Sequence, residues 1–142
     1  MTYSEKAALD IAEQLKDSLT QRYWVERPEG ASVQRVLRRA AELAGMEYTS
    51  IPLSECFPMD LEELLKSLPN KPGVIVLDGY DKTDKYIVDL VNFMLLYYEF
   101  RKMVTGDPEG AVDVPLDWKF IVVTEVGAWI PDAKLHKLLC KI

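Results

Sequence analysis

Residues 73–84 read GVIVLDGYDKTD, and the fold turns on this run. Gly73 to Leu77 are apolar without a break. A strand with one wet face alternates polar and apolar residues, whereas a strand covered on both faces does not. Parallel sheets flanked by helices produce the second pattern. Asp78 closes the apolar run, and Thr83 or Asp84 then starts a long helix expected to reach about Val104. The stretch therefore predicts a central strand feeding a helix, which is one unit of an alternating chain.

The alternation extends in both directions. Upstream, residues 4–20 carry Ala8, Ile11, Ala12, Leu15 and Leu19 at helical spacing, and Arg22 to Glu26 (RYWVE) is a short strand with a bulky, β-favouring centre. After the loop ERPEGAS, residues 32–44 form a helix that buries Val33, Val36, Leu37, Ala40 and Ala44. Gly45 stands where a left-handed C-cap belongs. Met46 to Ile51 is a second strand, ended by Pro52, and Asp60 to Glu63 has capping-box spacing for a helix to about Leu68. Downstream, residues 105–117 read as a loop and Trp118 to Val126 as another buried strand. The tail from Pro131 begins as a helix, with LLCKI able to finish as helix or as a short edge strand. Strands alternating with helices imply right-handed βαβ crossovers. The expected architecture is a single α/β domain over 1–142: a three-layer sandwich with a mainly parallel sheet of four or five strands, preceded by an N-terminal helix within 1–20.

Composition narrows the function without naming it. The chain has 142 residues, 49% hydrophobic and 28% charged, with a formal charge of −6, and its pI is near 4.8. Affinity for a nucleic-acid backbone comes from cations that neutralise phosphates, so direct nucleic-acid binding is not expected. Cys56 and Cys140 are too few for a disulfide scaffold and lack metal-ligand spacing, and two free, partly buried thiols in a reducing cytoplasm are expected. The N-terminus is too charged for a signal peptide. The greasiest run, Tyr86 to Phe100, is interrupted by Asp89, Asn92 and Glu99 and is shorter than the roughly 20 residues a bilayer requires. A cytoplasmic location follows (a host's cytoplasm if the source is viral). Amides are scarce, Asn70, Asn92, Gln14, Gln21 and Gln34, which suits a thermophilic source.

In open parallel sheets ligands collect beyond the carboxyl ends of the strands, here ERPEGAS, DGYDKTD and TEVGAW. The run RPEGASVQRVLRRAAELAG, followed by GVIVLDGYDKTD and WKFIVVTEVG, resembles the core of an AAA+ ATPase of the MoxR-like kind over residues 22–142. In that family a phosphate-binding loop precedes a helix, and a Walker B strand and a sensor strand follow. Pro28 and Gly30 match the loop, but Ser32 takes the next glycine's place, Val33 the lysine's, and Gln34 that of the hydroxyl residue that would hold magnesium. Asp78 matches the Walker B aspartate, while Gly79 stands where the water-activating glutamate belongs. Thr124-Glu125 replaces the sensor pairing, and Leu135, His136 and Lys137 offer no arginine finger. The helical lid is expected to be missing. What the resemblance implies is a degenerate P-loop fold. Without the lysine on the outer phosphates and the glutamate on water, ATP hydrolysis is not expected, nor is any cofactor or metal.

Other residues admit two readings. Asp78, Asp81 and Asp84 suit either a divalent cation or a solvated loop and helix cap. His136 lies among leucines with no nucleophile marked nearby, and Cys56 has no base close in sequence. Arg27 with Arg35, Arg38 and Arg39 forms the one basic cluster, a solvated helix face or a dock for an acidic partner. Tyr97, Tyr98 and Phe100 end a helix apolar nearly all round, as core or as an interface, and Trp129 in VGAWIPD is a second candidate anchor. These features read as a non-enzymatic protein-binding module. In size, acidity and composition it is similar in kind to phage-encoded factors that bind a bacterial RNA polymerase and modulate transcription. A nucleotide-binding or residual ATPase domain working in an oligomer is the alternative.

Overall fold

The computed structural model describes residues 3–17, 22–27, 33–55, 57, 63, 67, 71–96, 102–103, 112–113, 118–128 and 139–142. In chain order they form α1 (Tyr3–Leu15), β1 (Arg22–Arg27), α2 (Val33–Leu43), β2 (Glu47–Pro52), β3 (Gly73–Asp78), α3 (Lys85–Leu96), β4 (Lys102–Met103), β5 (Val112–Asp113), β6 (Trp118–Glu125) and β7 (Cys140–Lys141). Single 3₁₀ turns at Leu53–Glu55 and Tyr80–Lys82 follow β2 and β3.

Five strands make one sheet in the order β2-β3-β6-β1-β7, and every pair is parallel. The chain runs from β1 to the far edge at β2, returns through β3 and β6, and ends at β7 beyond β1. Gly73 to Leu77 is buried throughout, as is Trp118 to Thr124, so the apolar run of β3 and the apolar centre Phe120 to Val123 of β6 lie in central strands. Side chains of the sheet divide between two cores. Tyr23, Val25, Val74, Val76, Ile121 and Val123 pack with Ala8, Ala12 and Leu15 of α1 and Leu37, Ala40 and Ala41 of α2. Trp24, Ile75, Leu77, Phe120 and Val122 pack on the opposite face with Ile87, Val91 and Leu95 of α3. This is the three-layer α/β sandwich that the alternation predicts.

Local signals explain several boundaries. Gly45 lies at φ +71, the left-handed conformation that closes α2. The Asp84 carboxylate accepts the Ile87 N–H at 3.0 Å and caps α3. Gly73 faces Trp118 across the sheet, where a Cβ would stand 2.5 Å from the indole. Two buried cations close the amino-terminal edge. Arg22 Nε donates to Leu95 O at 2.6 Å, and Lys119 Nζ to Asp17 O. Each meets carbonyls at the end of a helix, where the backbone dipoles favour positive charge.

The structure corrects four details. Lys102–Met103 pairs antiparallel with Val112–Asp113, so the long helix does not run to Val104 and residues 105–117 are not wholly loop. Pro52 closes β2 from inside the strand, and β2 lies at the edge of the sheet, where proline is tolerated. Cys140 is a free, exposed thiol, because it sits on a two-residue edge strand. The C-terminal alternative resolves as strand, with Tyr23↔Cys140 and Trp24↔Lys141 in register. The helix expected over residues 60–68 lies mostly outside the described residues, but Ser67 N donates to Glu63 O at 3.1 Å within it. No helix among the described residues is long and apolar enough to cross a membrane.

Candidate functional site at the carboxyl edge of the sheet

Arg27, Asp78 and Glu125 are the last residues of β1, β3 and β6. The chain leaves β1 toward one side of the sheet and β6 leads toward the other, so their carboxyl ends flank a topological switch point, where a crevice opens. It encloses about 210 Å³ and is lined by Arg27, Asp78, Gly79, Lys82, Thr124 and Glu125, among others.

Both oxygens of Asp78 are engaged by side chains. An Arg27 terminal nitrogen donates to Oδ1, and Gln34 Nε2 donates to Oδ2 at 2.9 Å. The Tyr48 hydroxyl donates to Gln34 Oε1 in turn, which fixes the amide so that its nitrogen faces the carboxylate. Burial first, with the Asp78 charge as a lesser cause, pushes the Tyr48 hydroxyl above its usual range, while Ser50 and Arg38 oppose the shift. Arg27 Nε is buried without a hydrogen bond, although Glu125 Oε1 stands 3.5 Å away, an ion-pair distance without hydrogen-bond alignment. Lys82 Nζ donates to the same oxygen at 3.2 Å, and the Glu125 N–H donates to Asp81 Oδ2 at 3.3 Å. Gly79 turns at φ 79, ψ 29, its N–H bonded to Val123 O at 3.2 Å. The turn that starts the 80–82 helix thus requires a left-handed residue where the resemblance would place a glutamate.

Val33 is buried beside Ile121 and Val123, and Gln34 beside it is half-buried against Asp78. The Thr124 hydroxyl accepts from Trp24 Nε1 at 2.9 Å and donates to Glu125 O at 3.1 Å. Asp84 caps a helix, and no group of three or more His, Cys, Asp or Glu side chains is gathered to hold a metal among the described residues.

The basic residues divide. Arg27 turns into the crevice, whereas Arg35, Arg38 and Arg39 lie on the exposed face of α2. The Arg38 guanidinium stands 5.1 Å from the centre of the Tyr48 ring. Arg39 pairs with Glu42 at 3.1 Å and Glu5 at 3.5 Å, contacts that raise its pKa, Glu42 foremost. Pro28, Gly30, Ser32, Cys56, Tyr97, Tyr98, Phe100, Trp129 and His136 lie outside the described residues. Tyr48 and Lys82 belong to the network without having been singled out in the sequence.

No protein-family model matches the sequence, and no curated protein matches it significantly. Solved structures share its shape. RuvB of Thermotoga maritima, described as a Holliday junction branch migration motor, superposes with a TM-score of 0.62 at 15% identity over 97% of this chain and 42% of its own. Its P216G mutant gives 0.64 over the same shares. NtrX from Brucella abortus in complex with ATP gives 0.64 at 15% identity, covering 100% of this chain and 35% of NtrX. The chain thus spans less than half the length of the structures it resembles. The five-stranded parallel sheet with its flanking helices is an α/β fold shared with the matched parts of RuvB and NtrX.

Proposed function

We propose that the chain is a non-catalytic protein-binding module on an AAA+-type scaffold, a small regulatory factor that docks on a larger machine such as an RNA polymerase and modulates transcription. The observation that carries the non-catalytic reading is the state of Asp78, whose two oxygens are occupied by Arg27 and Gln34. A magnesium ion bound directly to Asp78 would have to displace these donors, and the guanidinium already neutralises the charge that a cation would meet. Position 33 adds a buried valine where a triphosphate would need an ammonium. Asp78 held by Arg27 and Gln34, with Val33 buried, does not fit nucleotide with magnesium. Docking is the proposed role of the Arg35, Arg38 and Arg39 face and of the aromatic positions Tyr97, Tyr98, Phe100 and Trp129.

The likeness to NtrX in complex with ATP favours a second reading, a nucleotide-binding AAA+ domain acting in an oligomer. Calorimetry with ATP and magnesium separates the two. The proposed function expects no binding heat, and a dissociation constant tighter than about 100 μM establishes the second reading instead. Capture of polymerase subunits from a host lysate, lost on charge reversal of Arg35 and Arg38 with circular dichroism unchanged, is the expected result for the regulatory role. Capture unaffected by that reversal contradicts the assigned face.

A further inference from the structure

β2 forms one edge of the five-stranded sheet, and only half of its backbone is paired. Glu47 N donates to Pro72 O at 2.9 Å, beside the Glu47↔Gly73 pair with β3. Along a strand, residues that bond one neighbour alternate with residues whose N–H and C=O face the other way. Thr49 and Ile51 therefore bond β3 as Glu47 does, while Tyr48 and Ser50 turn both backbone groups outward. Pro52 falls in the outward set, where a missing N–H leaves the β3 ladder intact. The outward N–H groups of Tyr48 and Ser50 have no hydrogen-bond partner among the described residues. Ser50 is exposed and Tyr48 half-buried, so this edge reaches the surface in mid-strand.

One flank of the edge is basic. Tyr48 and Ser50 lie on the α2 side of the sheet, since Tyr48 packs with the α1–α2 core and Ile51 with the α3 core. There the Arg38 guanidinium stands over the Tyr48 ring, and Arg35, three residues earlier, shares its exposed helix face. Arg39 is matched by Glu5 and Glu42. Arg35 and Arg38 have no acidic partner among the described residues.

We propose that the β2 edge is a strand-addition site for an extended segment of a protein partner in which acidic and β-branched residues alternate. The segment's backbone takes the outward groups of Tyr48 and Ser50. Side chains directly opposite these two residues share their face, and glutamates there meet Arg38 and Arg35. The intervening side chains lie beside Thr49 and Ile51 on the α3 face, where uncharged, β-favouring residues suit. A second copy of the chain does not match this chemistry, because the α2-side residues of its own β2 are Tyr48, Ser50 and Pro52, without a carboxylate for Arg38. Docking of this kind rests on the protein-binding reading and gives the partner's docking segment a chemistry.

The test adds the blocked peptides Ac-VEVEVE-NH2 and Ac-VKVKVK-NH2 separately to the whole protein, up to about 1 mM, with NMR titration and amide hydrogen exchange. In the free protein the Tyr48 and Ser50 amides should exchange rapidly, and those of Thr49 and Ile51 slowly. The acidic peptide should slow exchange at Tyr48 and Ser50. It should also bind about tenfold more tightly than the basic one, although the net charge of −6 favours the reverse. Methylating only the glutamate nitrogens removes the ladder donors of an antiparallel addition, and methylating only the valine nitrogens removes those of a parallel one. One methylated peptide should therefore lose about tenfold in affinity and the other should not. Arg38→Glu should invert the preference between the acidic and basic peptides. Ser50→Pro should weaken the acidic one, with thermal melts verifying that both variants remain folded. Equal binding of the two unmethylated peptides overturns the proposal, as do equal effects of the two methylations. Tyr48 and Ser50 amides already protected in the free monomer, or in a concentration-dependent dimer, also overturn it, because the edge then has another occupant. Polymerase capture that depends on Arg35 and Arg38 while no peptide binds β2 removes the strand site alone. Heat on adding ATP with strand addition intact removes the non-catalytic reading alone.

Discussion

At the end of β3 a carboxylate accepts from a guanidinium and an amide brought by β1 and α2. Both charged partners are partly shielded, with 35% of the Arg27 side chain and 20% of Asp78 exposed. Deleting one member leaves the other short of partners. Arg27→Met should cost about 1–3 kcal/mol of unfolding free energy in urea titrations. A double-mutant cycle with Asp78→Asn should return a coupling of about 1 kcal/mol, and a coupling of zero would show that the two side chains do not share an interaction. Gly73 is constrained by volume. Its missing Cβ would meet the Trp118 ring at 2.5 Å, and Trp118 is fully buried. Gly73→Ala should therefore destabilise by about 1–3 kcal/mol through overpacking, whereas an unchanged urea midpoint would mean that the ring has room to shift.

Among the elements, α3 depends on a single cap within its described turns, the Asp84 carboxylate on the Ile87 N–H. Asp84→Ala should cost about 1 kcal/mol, read from chemical denaturation. This cap was legible in the sequence because its signal is local, as were Gly45 closing α2, the unbroken apolar run of β3 and the apolar centre of β6. The far end of the helical run was not. Tyr86 to Phe100 contains no glycine or proline to mark a stop, and the pairing of Lys102–Met103 with Val112–Asp113 is set by tertiary context. LLCKI stayed ambiguous for a related reason, since two residue pairs against β1 leave no periodic signature. At the site, Asp78 could be located as the polar residue ending a buried strand. Its partner Arg27 lies 51 residues away and reads in sequence as one of four neighbouring arginines. Charge is visible in a sequence, but the direction of a side chain leaving a strand end is not. That Arg27 and Glu125 both follow a buried run is the one signal in the sequence that sets Arg27 apart.

Across the whole molecule, stability carries a signature at alkaline pH. Burial first, then Asp17 and Cys140, pushes the Tyr23 hydroxyl from 10.0 up to about 12. Between those values the folded chain keeps a proton that the unfolded chain releases. The contribution is therefore complete below pH 10 and is lost as pH rises through about 12. Lys119, 3.4 Å from that hydroxyl, has its pKa lowered by burial, with Asp17 opposing. Its sign is opposite, and it adds stability as pH rises toward its ordinary 10.5. Urea midpoints should fall between pH 10 and 12, and Tyr23→Phe should shallow that fall without abolishing it, because Tyr48 is shifted upward as well. An unchanged slope in Tyr23→Phe would remove Tyr23 as the cause. In a fold shared with part of NtrX, this chain encloses a crevice whose central carboxylate is held by its own side chains. The most direct test is a crystal structure grown with millimolar ATP and magnesium. Arg27 and Gln34 should still hold Asp78, with no nucleotide density at the carboxyl edge. Density for a triphosphate there, with a metal on Asp78 and Arg27 swung aside, would contradict the non-catalytic reading.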